Sequence, residues 1–233
     1  GCSNVQKLEI ENWDVSQVTN MESMFYGSSS LQELDLSGWS PAAAIRLNWT
    51  FYQCRNLVKL DVRNLGVNGV TRMDQAFLEV GAMAGGCEMN VGSWDLKNVR
   101  LDMSKLFYKS NIPQIDFSGW RGLVNIANMR EMFADSEVER VAFGGAWATE
   151  SFDVLSSMYQ MFKGCDRLES IDLSGWNVPN LTDTSGMFNG CASLDSLNLS
   201  FRGIVQSSAD NFTVTSMFSG CPGGTLTITN VTD

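Results

Sequence analysis

Histidine is absent from the 233 residues, and only 4 prolines occur. Without an imidazole, general acid–base work at neutral pH and His-bearing zinc sets lose their usual ligand and base. No C-x-x-C pair is present to complete a thiolate set, although the chain holds 6 cysteines. Positive charge is also scarce: 16 Lys and Arg stand against 26 Asp and Glu, a formal net charge of −10. That balance argues against a surface built to seek the phosphates of DNA or RNA. No apolar run approaches the ~18 residues of a spanning helix, so direct membrane insertion of this segment is not expected. Nucleotide and hydrolase signatures such as G-x-x-x-x-G-K-[ST], G-x-G-x-x-G and G-x-S-x-G are missing. The expectation is a protein without catalysis and without a cofactor.

What the sequence does have is repetition. A phenylalanine recurs at Phe25, Phe51, Phe77, Phe107, Phe133, Phe162, Phe188 and Phe218, at spacings of 26, 26, 30, 26, 29, 26 and 30. A catalytic site is usually written once, whereas a scaffold is written many times. The spacing therefore predicts a single repeat solenoid over residues 1–233, with loops grown in the longer units. Gly1-Cys2 followed by Val5 matches Gly190-Cys191 followed by Leu194. The chain thus opens in mid-repeat and is expected to be excised from something longer. A lipid anchor through Cys2 is the rival reading of that cysteine.

Each unit carries two periods. "LQELDLSGW" from Leu31 alternates, with Leu34 and Leu36 on one face and Glu33 and Asp35 on the other. Strands separated by a crossover should pair in parallel. "NMESMFYG" from Asn20 places Met21, Met24 and Phe25 at i, i+3 and i+4, which predicts a short helix. Asn20, Asp102, Asn128, Ser157, Asp183 and Thr213 stand where its N-cap would be, and Gly27, Gly164, Gly190 and Gly220 where a left-handed C-cap would stop it. Strands sit roughly 4.8 Å apart and packed helices ~8–10 Å. A strand–turn–helix unit must then fan outward and leave the sheet on the concave face. The expected fold class is α/β: a leucine-rich-repeat-like solenoid of about eight units of 26–30 residues.

Cys54, Cys165, Cys191 and Cys221 share one register with Ser28, Val80, Ser110 and Ser136. A position that accepts Cys, Ser and Val asks for a small buried side chain, so free thiols are expected. Trp13, Trp39, Trp94, Trp120 and Trp176 share another register, with Leu65, Ala146 and Arg202 as departures, and should form an interior spine.

The W, M-F and G-C words recurring in phase, as in "LESIDLSGWNVPNLTDTSGMFNGCASL", resemble the leucine-rich-repeat-like surface proteins of the BspA family. The likeness covers nearly the entire chain, with "SPAAAIRLNWTF" and the stretches 144–157 and 200–217 as departures. It implies a secreted or surface-displayed solenoid for adhesion or partner binding, and no catalytic residues to carry over.

Three candidate features follow. Asp35, Asp61, Asp116 and Asp172 form an acidic ladder on the expected concave face, which could approach glycosidase-like spacing or hold Ca²⁺. The alternative is a solvated face, or Asp bonded to nearby turn amides. Trp49 stands in a register otherwise polar, Tyr26 and Tyr52 are one residue past their Phe, and together they could form an exposed aromatic patch for a partner. Folding back under a local loop is the competing reading. Trp147, in the stretched unit "GGAWATESF", is a second partner-contact candidate. Sequons at Asn48, Asn180, Asn198, Asn211 and Asn230 are weak pointers to secretion. The expected ligand is a protein or glycan, not nucleic acid, at the cell surface or outside the cell. A scaffold subunit in a larger assembly is the alternative.

Overall fold

A computed structural model gives the architecture and describes residues 3–42, 45–65, 69–97, 101–204, 213–222 and 225–231. Cys2, Asn211 and the side chain of Asn230 lie outside it. The strands in chain order are β1 (Glu33–Asp35), β2 (Ile45–Arg46), β3 (Lys59–Asp61), β4 (Val70–Arg72), β5 (Glu88–Asn90), β6 (Leu101–Asp102), β7 (Gln114–Asp116), β8 (Ile126–Asn128), β9 (Arg140–Ala142), β10 (Ser170–Asn177), β11 (Ser196–Arg202) and β12 (Thr225–Val231). All pairings are parallel, in the rows β1-β3-β5, β7-β9, β10-β11-β12, β2-β4 and β6-β8. The molecule is a parallel β-solenoid, in which each rung sits directly over its equivalent in the next coil.

The expected capped helices are not present among the described residues. Among the described residues the only α-helix is α1 (Ala146–Thr149). The segment around each Phe is instead a run of overlapping turns. In the Phe25 unit, the N–H groups of Met24, Tyr26 and Ser28 donate to the carbonyls of Met21, Ser23 and Phe25, three residues back, at 3.1, 3.1 and 3.0 Å. The intervening N–H groups of Ser23, Phe25 and Gly27 donate to Asn48, Thr50 and Tyr52 of the next coil at 3.2, 2.9 and 2.8 Å. Half the donors are thus satisfied locally and half between coils. A helix, which bonds every N–H within itself, could not provide the second half.

This alternation fixes the backbone. Ser23 and Gly27 have φ of 57° and 64°, and the same two positions are positive in each later Phe unit, down to Ser216 at 53° and Gly220 at 80°. Positive φ at the third residue of a turn is the type II pattern. It suits the glycines placed there and costs roughly 1–2 kcal/mol at the others. The residues expected to cap a helix cap these turns instead: Asn20, Asp102, Asn128 and Asp183 accept N–H bonds from Glu22, Ser104, Arg130 and Ser185 at 2.8–2.9 Å.

Because both walls repeat at strand spacing, the width mismatch that predicted a concave sheet is absent. The eight phenylalanines stack in one column, with centroids 5.1 to 5.9 Å apart and planes within 12°. One continuous buried cluster runs from Ile10 to Met217, with the Phe column on the turn side and the indoles on the strand side. Full burial of such rings contributes roughly 1.5–3 kcal/mol each. Asparagines stitch the corners: the side-chain amides of Asn56, Asn125 and Asn180 donate to the backbone carbonyls of Ser29, Lys97 and Asp153 in the preceding coil at 2.6, 2.5 and 2.7 Å.

Candidate functional site

Cys54, Cys165, Cys191 and Cys221 are free thiols in the expected register. Their Sγ–H groups donate to the carbonyls of Phe25, Phe133, Phe162 and Phe188 in the preceding coil at 3.0–3.1 Å. Burial pushes the thiols of Cys54 and Cys165 up to about 12. A protonated, carbonyl-bonded thiol is neither a nucleophile nor a metal ligand. This register is structural, and no group of metal-ligating side chains gathers elsewhere among the described residues.

The acidic ladder is interrupted and internally occupied. Asp35 lies opposite Asp61 and Asp61 opposite Asn90, but Asp116 faces Ala142 and Asp172 faces Asn198. Each of the four carboxylates accepts the N–H two residues on, from Ser37, Arg63, Ser118 and Ser174 at 2.8–3.2 Å. Asp61 also pairs with Arg63. The hydrogen bonds from Ser37 hold the Asp35 carboxyl below the usual carboxylate range. Asp bonded to turn amides thus accounts for this row. The adjoining row Lys7, Glu33, Lys59 and Glu88 stands in register with alternating sign. No ion pair closes between its own rungs among the described residues; Lys7 pairs with Glu9 at 3.8 Å.

Of the aromatic candidates, the structure brings two together and removes one. Tyr26 is 42% exposed and meets Tyr52 edge-on, with centroids 5.1 Å apart. Met24 is equally exposed beside them, and Trp49 is half-buried in the same turn run at φ 55°. Trp147 is not a surface residue: its exposure is 0%. Gly145, at φ 54°, opens the single helical turn α1, which swings Trp147 inward to the spine place vacated by Ala146. There its Nε1–H donates to the Phe117 carbonyl at 3.0 Å, as that of Trp39 does to Ile10 at 2.8 Å. Its ring packs on Phe143, Phe152 and Trp176. Trp147 of the stretched unit is thus part of the core.

The family model described as "Mycoplasma protein of unknown function, DUF285" matches residues 1–88, 61–147 and 102–226. The chain belongs to that family. The matches overlap, as a repeating sequence allows. Neither the curated proteins nor the solved structures give a match to this DUF285 chain.

One feature of the DUF285 solenoid escaped the sequence reading. A cleft of about 550 Å³ opens on the strand wall between Gly85–Met89 and Pro113–Asp116. Its signal was the 30-residue step from Phe77 to Phe107, into which Gly85 and Gly86 are inserted.

Proposed function

We propose that this chain is a non-catalytic binding or adhesion module, displayed at the cell surface or secreted, that presents a solenoid wall to a protein or glycan. Exposed Tyr26 and Met24, with half-buried Tyr52 against Tyr26 and half-buried Trp49, carry this reading. A large aromatic such as Tyr26 left in water, in a register that later units fill with Lys163, Asn189 and Ser219, favours a contact surface over a solvated one. The ladder carboxylates, engaged by turn amides, support a surface without hydrolytic chemistry. Kinship with the BspA-like surface proteins and a count of about eight leucine-rich-repeat-like units belong to the same proposal.

The test is capture of extracellular proteins and an array of glycans by the intact chain, compared with Trp49→Ala and Tyr52→Ala variants. A saturable ligand should be retained by the native chain and weakened about tenfold or more by the substitutions, with the thermal midpoint nearly unchanged. Equal retention of every partner by all three proteins contradicts the reading. Constant co-purification with one complex would favour a scaffold subunit instead.

A further inference from the structure

Four buried side-chain atoms lack a hydrogen-bond partner among the described residues: Trp120 Nε1, Asn111 Oδ1 and both amide atoms of Asn48. The first two belong to the β5–β7 interface, whose edges already meet, the Cys87 N–H donating to the Asn111 carbonyl at 2.8 Å. Asn48 lies two residues past β2. It is fully buried, although Glu22, its counterpart in the preceding coil, is exposed.

The backbone of Asn48 is short of a partner as well. In five coils a side-chain oxygen accepts the N–H two residues on: Asn20 from Glu22, Asp102 from Ser104, Asn128 from Arg130, Ser157 from Tyr159 and Asp183 from Ser185, at 2.8–3.2 Å. Arg46 and Arg72 hold that place in two neighbouring coils, and a guanidinium cannot accept. The N–H groups of Asn48 and Asp74 are consequently without an acceptor among the described residues. Arg72 is committed to Asp74 at 3.2 Å. Arg46 is exposed and in no ion pair among the described residues.

A cleft of about 480 Å³ opens at this place, lined by Thr19, Asn20, Arg46 and Thr71, and its size is within the range of ligand sites. Arg46 stands opposite Asn20 and Arg72, and the register shift between β2 and β4 brings Thr71 in as an extra residue. Thr71 Oγ1 donates to the Ile45 carbonyl at 3.0 Å and keeps its lone pairs for another donor. The Thr19 hydroxyl and the Asn20 side-chain amide nitrogen have no partner among the described residues. An unpaired guanidinium fork fits a planar, two-oxygen anion, and a lining of hydroxyls and an amide, with no apolar side chain, fits hydroxyl groups on the same molecule. We propose that this cleft binds the carboxylate of an acidic sugar, a uronic or sialic acid unit of a glycan. Arg46 is the counter-ion, the carboxylate supplies the acceptor that the cap position lacks, and the sugar hydroxyls meet Thr19, Asn20 and Thr71. This rests on the binding-module reading and narrows its ligand, but the lining includes neither Trp49 nor Tyr52, so failure here leaves their test standing.

Titration of the full chain at neutral pH with glucuronic acid and with N-acetylneuraminic acid, followed through its amide shifts in solution NMR, tests this. Glucose has the ring hydroxyls without the carboxylate, and N-acetylaspartate has a peptide-type carboxylate without the ring. Saturable shifts are expected at Thr19, Asn20, Arg46, Asn48 and Thr71. Affinity should be weaker by about tenfold or more for glucose, for N-acetylaspartate and in Arg46→Gln, whose thermal midpoint should not move because the side chain is exposed. Arg140→Gln, at an exposed arginine of the strand wall, should leave the affinity unchanged. Glu22 is exposed on the same face as Asn20 and opposes an anion, so Glu22→Gln should tighten binding. The proposal is overturned by the absence of saturable shifts with both acids at tens of millimolar, by equal binding of N-acetylaspartate, or by equal losses in Arg46→Gln and Arg140→Gln. The second outcome describes an acidic peptide as the ligand, and the third a general attraction to surface cations.

Discussion

Cys165 lies fully buried beside Ser136, with its sulfur 3.6 Å from the serine Oγ and 3.1 Å from the Phe133 carbonyl. Size and one donated hydrogen bond define the position, and both a thiol and a hydroxyl provide them. Ser110, in the same register, donates to the Phe107 carbonyl at 2.8 Å. Cys165→Ser should therefore change the unfolding free energy by no more than about 1 kcal/mol. Cys165→Leu should cost roughly 1–3 kcal/mol by overpacking. Urea unfolding of the two variants checks this, and a serine variant as damaged as the leucine one would contradict it. The small-residue demand was legible in the sequence because Cys, Ser and Val alternate there. The carbonyl acceptor was not, because it belongs to the preceding coil.

At the scale of the element, the turn run explains both what periodicity reveals and what it conceals. Met73, Ala76, Phe77 and Val80 are buried, while Gln75 and Glu79 between them are partly exposed. That is the i, i+3, i+4, i+7 pattern of an amphipathic helix, produced here by overlapping turns. Burial periodicity reports which side chains face inward and not which hydrogen bonds hold the backbone. A column of helices needs ~8–10 Å per coil, and the phenylalanines stack at little more than 5 Å. Gln75→Gly separates the two geometries. Gln75 has φ 56°, and its equivalent in a later coil is already Gly186 at 62°. Glycine should stabilise the turn by up to about 1 kcal/mol, where in a helix interior it would cost about the same. A lowered thermal midpoint for Gln75→Gly would contradict the turn geometry.

For the whole molecule, the repeat, the parallel pairing and the stacked interior were legible because each recurs in phase. The irregular places were not. Trp147 reads as a loop contact because it lies in a stretched unit, yet one helical turn returns it to the core. The β5–β7 cleft hides in a single long spacing, and its orphaned Trp120 and Asn111 atoms are visible only once the coils are stacked. Cohesion in such a stack comes from nearest-neighbour interfaces, and the bond that distinguishes this solenoid from a helical one runs between coils. The Phe77 N–H donates to the Leu106 carbonyl at 3.0 Å. The direct measurement is the scalar coupling across hydrogen bonds in solution NMR, from the Phe77 amide nitrogen. Coupling to the carbonyl carbon of Leu106 is expected; coupling to that of Met73, four residues back, would contradict the solenoid described.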